Sequence, residues 1–218
     1  MIDLHTHSLF SDGELIPSEL VRRLETMGYT ALAITDHVDS SMIDFVIPRI
    51  IKVAGELNQA QPVKVVPGVE LTHIPPSRIG PMVVKARELG AALVIVHGET
   101  IAEPVAPGTN RAAIEAGADI LAHPGLITPE DATLAARNNV FLEISARAGH
   151  SLANGHVAGT ALENGARLVV NSDGHGPGDF MTRELAEKIV EGAGLRKGAL
   201  DELLANSRIL LNRIGYPL

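Results

Sequence analysis

The sequence predicts an α/β fold in which parallel strands close into a TIM-like barrel. Apolar segments with the length of buried strands alternate with amphipathic helical segments, which implies right-handed crossovers and a parallel sheet. Histidines and carboxylates recur at or just past the C-terminal ends of the predicted strands. In a barrel these ends form one rim, whereas an open doubly wound sheet would spread them along an edge. The recurrence therefore favours the barrel.

The composition fits a helix-covered parallel sheet. Apolar residues make up 45% of the 218-residue chain, but aromatic residues only 3%, and tryptophan is absent. Alanine, valine, isoleucine and leucine must therefore fill the core, as they do in parallel sheets covered by helices. No linker rich in serine or glycine divides the chain, so we expect residues 1–218 to form a single domain.

Charge and cysteine content narrow the classes of partner. A formal net charge of −8 disfavours broad binding to nucleic acid or to anionic membranes. Acidic substrates remain compatible with this charge, since several divalent ions would make one pocket positive. The absence of cysteine excludes disulfides and thiolate metal ligands. No basic leader with a long apolar run and no membrane-length segment is found, so we expect a cytoplasmic protein.

In the first half of the chain, proline and glycine mark helix ends between short apolar strands. Leu20, Val21 and Leu24 share one face of the first predicted helix. Pro17 suits the first turn of this helix and Gly28 suits its end. The elements predicted here are strands over residues 2–7, 31–35 and 63–66 and helices over residues 17–27 and 46–57.

The alternation continues through the second half. Gly90, Gly117 and Gly165 follow predicted helices, as C-terminal glycines commonly do. Thr128 is a predicted N-cap, with Pro129 in the first turn and acidic residues at the positive end of the helix dipole. The remaining predicted elements are strands over residues 92–96, 119–122, 140–144 and 167–170, helices over residues 81–89, 110–116, 156–163, 183–190 and 200–205, and the helix that begins at Thr128.

The first strand carries the pattern of a metal site. Side chains alternate across a strand, so His5 and His7 leave it on the same face. Two imidazoles so placed suit a pair of metal ligands. Asp12 follows on a loop that could return over them, and Gly13 would let that loop turn sharply. One further observation strengthens this interpretation: buried imidazoles and carboxylates are costly unless paired or metal-bound, yet they recur at strand ends throughout the chain.

These motifs together resemble the polymerase-and-histidinol-phosphatase (PHP) family, in family order and with no expected ligand missing. The resemblance implies a distorted seven-stranded (β/α) barrel with a trinuclear metal centre. The matching segments are Asp3-Leu4-His5-Thr6-His7-Ser8 with Ser11-Asp12-Gly13, Thr35-Asp36-His37, Pro67-Gly68-Val69-Glu70, Val96-His97-Gly98-Glu99, Ala122-His123-Pro124-Gly125 and Ser172-Asp173-Gly174-His175.

The resemblance also implies three sets of ligands for divalent ions. The first consists of His5, His7, Glu70 and Asp173, the second of Glu70, His97 and His123, and the third of Asp12, His37 and His175. Glu70 has two carboxylate oxygens and could bridge two cations. Mixed oxygen and imidazole ligands suit Zn, Mn or Fe and do not distinguish among them.

Hydrolysis of a phosphate ester is the reaction that such a centre fits best, because divalent ions lower the pKa of water and stabilise phosphoryl charge. We hypothesise that a hydroxide bridging the first two ions attacks phosphorus, while the third polarises the phosphoryl group or its leaving oxygen. Glu70 and Asp173 are the predicted catalytic residues.

Three further residues are predicted to bind substrate. Arg147 follows a strand end, and its guanidinium could bind phosphate oxygens in a bidentate fork, as the family resemblance also implies. A solvated surface arginine is an equally good interpretation. His150 and Asn110 are weaker candidates on neighbouring loops. Glu99 could orient a ligand imidazole, and Asp3 and Asp36 could do the same or could simply be solvated. We treat His73 and His156 as structural.

A metal-dependent phosphomonoesterase acting on a small phosphorylated metabolite, with histidinol phosphate as the leading named substrate, is therefore the first hypothesis. A phosphodiesterase or exonuclease is the second, although the negative charge and the lack of a basic, aromatic-lined track count against it. A non-catalytic metal-binding module and a related amidohydrolase barrel are the remaining alternatives. The short loops suggest an open site, compatible with a homo-oligomer in which a neighbouring subunit completes the pocket.

Overall fold

Parallel strands wrap around one core in the computed structural model, which describes residues 1–218. Seven of them follow one another around the barrel in the order β1-β2-β4-β5-β6-β7-β8, and the short β3 extends the line of β2 beside β4. The predicted seven-stranded, TIM-like α/β barrel is confirmed. The strands are β1 (Ile2–Asp3), β2 (Ala31–Ile34), β3 (His37–Val38), β4 (Lys64–Leu71), β5 (Leu93–His97), β6 (Ile120–Ala122), β7 (Phe141–Ser145) and β8 (Leu168–Asn171).

Eight α-helices cover the strands, and a short 3₁₀ helix over His150–Ala153 precedes the sixth. None of the helices combines the length and the apolar composition that crossing a membrane requires. The helices are α1 (Pro17–Thr26), α2 (Ile43–Ala60), α3 (Pro76–Glu88), α4 (Thr109–Glu115), α5 (Pro129–Asn138), α6 (Asn154–Asn164), α7 (Arg183–Gly192) and α8 (Ala199–Arg213).

Each predicted strand and helix is present, but several bounds differ. The strand predicted over residues 2–7 ends at Asp3, so His5 and His7 follow it, and beyond Asp3 only Thr6 makes a bridge, to Gly174. The strand predicted over residues 63–66 continues through Pro67 to Leu71. Pro67 is tolerated because pairing with β2 ends there, while its carbonyl accepts a hydrogen bond from Ala92 N at 2.9 Å. The helix predicted over residues 81–89 starts at Pro76, which takes the first-turn position and leaves Pro81 inside the helix.

The core is continuous and consists mainly of aliphatic side chains. Sixty-five buried hydrophobic residues form one cluster. All residues of β2, β5, β6, β7 and β8 are buried, as expected for strands covered on both faces. This packing fixes the strands, and with them the loops that carry the polar residues at the C-terminal rim.

The seam between the first and last strands is closed largely by side chains. The backbone contributes one isolated bridge between Thr6 and Gly174. Asn171 Oδ1 accepts a hydrogen bond from the backbone N–H of Leu4 at 2.9 Å. The Asp3 carboxylate accepts one from the N–H of Ser172 at 3.2 Å. The seam therefore depends on two buried polar residues next to the rim.

Candidate metal centre

The predicted ligands converge on one cavity at the C-terminal ends of the strands. The cavity has a volume of about 250 Å³, and no hydrophobic side chain lines it. Such a wholly polar cavity suits small charged groups better than an apolar ligand. The lining residues are Asp12, His37, Thr72, His73, His97, Glu103, Arg147, His150, Asp173 and His175.

The first predicted ligand set lies at the cavity floor, fully buried. His5 Nε2 is 3.4 Å from Glu70 Oε2 and 3.6 Å from Asp173 Oδ1. His7 Nε2 is 3.7 Å and 3.2 Å from the same two oxygens. Four donors bound tetrahedrally to one ion at about 2.0–2.2 Å would lie about 3.3–3.6 Å apart, so this spacing fits a divalent cation.

The second predicted set lies beside the first. His123 Nε2 is 3.7 Å from Glu70 Oε1, the oxygen that the first set leaves unused. The rings of His97 and His123 have centroids 4.4 Å apart. His150 joins them, with its ring stacked on His123 at 4.0 Å and its ligand atom within 4.8 Å of those of His97 and His123. Glu70 thus directs one carboxylate oxygen toward each of the two sets.

The third predicted set lies nearer the solvent. Asp12 Oδ1 is 3.1 Å from His175 Nε2 and 3.5 Å from His37 Nε2. A second contact ties this set to the first, because His37 Nδ1 lies 2.6 Å from Glu70 Oε2. The structure therefore brings together all nine residues that the sequence suggested as metal ligands.

The cluster has many buried polar atoms that no protein group satisfies. Native proteins contain few such atoms, and a concentration of them at one place points to a bound ligand such as a metal ion. Lone pairs of nitrogen and oxygen that converge at ligand spacing are what divalent cations bind, so the donor set fits such ions. The unsatisfied atoms of the site are His5 Nε2, His7 Nδ1 and Nε2, Glu70 Oε1, His123 Nδ1, Asp173 Oδ1 and His175 Nε2.

Burial disfavours the charged form of the histidines and carboxylates in the cluster, and the charges of neighbouring side chains decide which groups stay ionised. Burial lowers the pKa of His5, but three carboxylates, Glu143 first among them, outweigh it and raise the pKa well above its usual value. Burial raises the pKa of Glu70, but neighbouring histidines, led by His5, bring it well below its usual value. For His7 and His123, burial and nearby imidazoles hold the pKa well below the usual range. Neutral imidazoles are the form that binds metal.

A buried hydrogen-bond chain fixes the orientation of His5. Its Nδ1 lies 2.8 Å from Glu143 Oε2, and this oxygen also accepts a hydrogen bond from Asn171 Nδ2 at 2.8 Å. A histidine whose Nδ1–H is held by a carboxylate presents Nε2 as the ligand atom. Glu143 is a positioning residue that the sequence analysis did not single out, although a carboxylate inside an otherwise apolar strand was a signal for it.

Asp3, Asp36 and Glu99 hold loops and do not contact ligand imidazoles. Asp3 accepts a hydrogen bond from the backbone N–H of His5, not from a ring. Asp36 accepts hydrogen bonds from both the backbone N–H and the hydroxyl of Ser8, at 2.8 and 2.7 Å. Glu99 accepts hydrogen bonds from backbone N–H groups where α4 begins. The expectation that they orient imidazoles directly is therefore corrected: they shape the backbone that carries the rings.

The residues predicted to bind substrate differ in where they lie. Arg147 and His150 line the cavity. Arg147 Nη1 is 2.7 Å from His175 Nδ1 and 3.3 Å from the carbonyl oxygen of Asp173. Asn110 does not line the cavity, because its side-chain oxygen accepts the Glu99 N–H and its amide donates to the Pro124 carbonyl. We propose no substrate role for Asn110.

Two further residues line the cavity although no sequence motif predicted them there. His73, treated above as structural, lines the cavity with its side chain 44% exposed. Glu103, which no motif marked, lies on the loop after β5 and contacts three histidines. His156 matches its structural interpretation, since its Nε2 lies 2.8 Å from the Ile127 carbonyl oxygen, away from the cavity.

Comparison with known families agrees with this arrangement. A family model described as PHP domain matches residues 3–210. The chain belongs to the PHP domain family. A relative that is 47% identical over 215 residues, an uncharacterized protein of Methanocaldococcus jannaschii, aligns with 97% of this chain and 99% of its own length.

Solved structures share the fold at low sequence identity. A histidinol phosphate phosphatase from Lactococcus lactis subsp. lactis, complexed with zinc, L-histidinol and phosphate, has a TM-score of 0.61 and 16% identity, covering 89% of this chain and 94% of that one. A putative histidinol phosphatase from Listeria monocytogenes gives 0.56 and 11%, covering 83% and 97%. A Xaa-Pro dipeptidase gives 0.66 and 12%, covering 99% and 75%. Family membership and the donor cluster together support a metal-dependent phosphoesterase.

Proposed function

We propose that this PHP protein hydrolyses phosphate monoesters of small metabolites at a centre of three divalent ions. The observation that carries the proposal is the set of unsatisfied, buried imidazole nitrogens and carboxylate oxygens at the base of one polar cavity. The family match supports the same reaction class. Histidinol phosphate is the leading named substrate, because the similar Lactococcus protein is a histidinol phosphate phosphatase.

Nine side chains are proposed to hold the ions, in the three sets described above. Zinc is compatible with these sets, and so are manganese and iron. Ions bound there supply Lewis acidity, which brings the pKa of water toward neutrality and offsets the charge of phosphoryl oxygens. Glu70 contributes one oxygen to each of two sets, and Asp173 lies within 4 Å of both His5 and His123. These two carboxylates fix the spacing of the reacting groups and are the proposed catalytic residues.

Arg147 and His150 are proposed to bind the substrate. The guanidinium of Arg147 stands at the cavity wall next to His175 and suits two oxygens of a phosphoryl group. For His150, burial lowers the pKa to about 4, so the ring is neutral at pH 7. A neutral imidazole with Nδ1 held 2.7 Å from Thr100 Oγ1 can hydrogen-bond the substrate but does not act as its general acid.

The size and charge of the site favour small monoesters. A cavity of about 250 Å³ without hydrophobic lining accommodates a phosphoryl group and a compact polar leaving group. The chain carries a net charge of −8, which disfavours a long polyanionic substrate. A terminal phosphoryl group can enter the cavity by itself, whereas a diester carries a substituent on each side of its phosphorus and both must be accommodated.

The proposal is tested by metal analysis combined with a substrate panel. The purified protein is loaded with Zn, Mn or Fe, its metal content is measured, and hydrolysis of an aryl phosphomonoester is compared with that of the aryl diester. We expect faster monoester hydrolysis and, on a metabolite panel that includes histidinol phosphate, preference for small polar monoesters. Faster diester hydrolysis would support the phosphodiesterase alternative, and full metal content without turnover would support a non-catalytic module.

Asp173→Asn provides the matched variant for this assay. It removes the charge of one proposed catalytic carboxylate while keeping its shape. Glu130→Gln is the control, because Glu130 is an exposed acid at the start of α5 at the same end of the barrel. We expect loss of turnover in the first variant alone.

A further inference from the structure

Left-handed backbone in residues other than glycine is concentrated at the cavity. Four such residues have positive φ: His73 (52°), His123 (27°), Asn139 (55°) and Asp173 (52°). Asn139 is the C-cap of α5, a position where asparagine commonly adopts this conformation. His123 and Asp173 are proposed metal ligands. Since this conformation is unfavourable for residues other than glycine and clusters at functional sites, its presence at His73 points to a role there.

Glu103 directs its carboxylate at imidazoles. Its Oε2 lies 3.2 Å from His73 Nε2 and 3.2 Å from His97 Nε2, and its Oε1 lies 3.5 Å from His150 Nε2. The ligand atoms of His73, His97 and Glu103 all lie within 4.8 Å of one another. Donors around one tetrahedral ion with bonds of about 2.0–2.2 Å lie about 3.3–3.6 Å apart. The spacing around Glu103 is close to that value.

The cluster differs from the three sets at the cavity floor in its exposure. The side chains of His73 and Glu103 are 44% and 39% exposed, whereas that of His97 is 3% exposed. His97 also belongs to the second predicted set, with Glu70 and His123 deeper in the cavity. His97 Nδ1 lies 3.2 Å from the Gly98 carbonyl oxygen, which leaves Nε2 as the ligand atom, and this atom faces Glu103. A ligand atom of His97 also lies within 4.8 Å of those of His123 and His150. His97 therefore stands between an inner position for an ion and an outer one.

We propose that His73, His97 and Glu103 form an outer position for a divalent cation at the cavity mouth, through which the ion of the inner position exchanges with solvent. This inference rests on the metal centre proposed above. An arriving cation is attracted by the Glu103 carboxylate and bound by His73. It then passes to Glu70 and His123 while His97 remains its ligand, so the ion is never released completely during the transfer.

Isotope exchange on the intact holoenzyme tests the outer position. Protein loaded with natural zinc is mixed with an excess of zinc enriched in one stable isotope, desalted at intervals and analysed by mass spectrometry. Ions leave by the route by which they enter, so a slower entry at unchanged affinity means an equally slower exit. We expect Glu103→Gln and His73→Asn each to slow the same one exchange phase by about tenfold or more, while the phases of the other ions keep the wild-type rate. The number of bound ions should stay the same.

Glu130→Gln is the matched control, since it removes an exposed negative charge at the same barrel face without touching the cluster. It should exchange at the wild-type rate. Unchanged exchange in both test variants would overturn the inference and make the Glu103 contacts ordinary hydrogen bonds. Loss of one bound ion in either variant would also overturn it, because the residue would then be a permanent ligand.

The same experiment separates this inference from the proposed function. A wild-type protein that retains no metal would remove both, because the inner position itself would be absent. A wild-type protein with its full metal content whose exchange ignores the two substitutions would remove the outer position alone.

Discussion

Substitution of Glu143 by glutamine tests how the first metal position is built. Glutamine keeps the shape of the side chain but removes its charge. In the native chain one carboxylate oxygen faces His5 Nδ1 at 2.8 Å and also accepts from Asn171 Nδ2 at 2.8 Å, both fully buried. A glutamine has only one acceptor oxygen, so it can accept both hydrogen bonds only when that oxygen faces His5 and Asn171. Without the negative charge, the side chain also no longer holds the proton on His5 Nδ1 electrostatically.

Two independent magnitudes lead to the same expected effect. Replacing a charge-assisted hydrogen bond by a neutral one forfeits part of its contribution of about 1.5–3 kcal/mol. Partners that orient metal-bound histidines typically account for about 10–100-fold in metal affinity, which corresponds to about 1.4–2.7 kcal/mol. We therefore expect the tightest zinc affinity of Glu143→Gln to fall by about 10–100-fold, while the fold is retained.

Competition with a chromophoric chelator measures this affinity, and far-UV circular dichroism checks the fold. Glu130→Gln, which is exposed, serves as the control for loss of a negative charge. If Glu143→Gln binds zinc as tightly as the wild type, His5 does not owe its ligand geometry to Glu143, and the argument from the hydrogen-bond chain is wrong. If the variant unfolds, Glu143→Asp, which keeps the charge but shortens the reach, replaces it.

Three further predictions concern the loops and the seam. In Gly13→Ala the new Cβ would lie 2.4 Å from the carbonyl oxygen of His7, so we expect the loop that carries Asp12 to shift and metal analysis to show loss of the third ion. Arg147→Met should raise KM for an aryl phosphomonoester by about tenfold, with a smaller change in kcat, in steady-state kinetics. Burial raises the pKa of Asp3 to about 6, against hydrogen bonds from its neighbours that lower it. Asp3 therefore keeps its proton to a higher pH in the native state than in the unfolded state. Its contribution to the free energy of unfolding, about 3 kcal/mol, is complete below about pH 4 and is lost as the pH rises through 6. Urea unfolding of metal-free protein should show this slope, and Asp3→Asn should flatten it.

The strand-end residues could be predicted from sequence because a parallel barrel fixes where they go. Once β1 and β5 are assigned, His5, two residues past the end of β1, and His97, the last residue of β5, must lie at the same rim. Their partners on other strands follow by the same rule. The barrel itself could be predicted from the strand–helix alternation, because right-handed crossovers leave few other topologies.

Residues whose position depends on loop conformation could not be predicted in this way. Glu103 lies six residues beyond His97 on an irregular loop, and no periodicity indicates which way its side chain points. His73 reaches the cavity through a left-handed backbone conformation that histidine rarely adopts. Asn110, by contrast, lies in the first turn of α4 and not on a rim loop, and its side-chain amide is hydrogen-bonded to backbone groups. Chain position places a residue near the rim, and only the loop geometry decides whether it enters the cavity.

The proposed ions lie where the barrel is least closed by its backbone. The segment just after the first strand supplies His5 and His7, and the segment after the last strand supplies Asp173 and His175. Ions held by both groups would therefore connect the two edges of the seam. The backbone itself contributes one bridge there. Binding of an ion at 1,000 times its dissociation constant stabilises the folded state by about 4 kcal/mol, which is a large part of the 5–15 kcal/mol of a typical domain. We therefore expect metal binding and closure of the barrel to be coupled, so that removal of the ions opens the seam before the rest of the barrel unfolds.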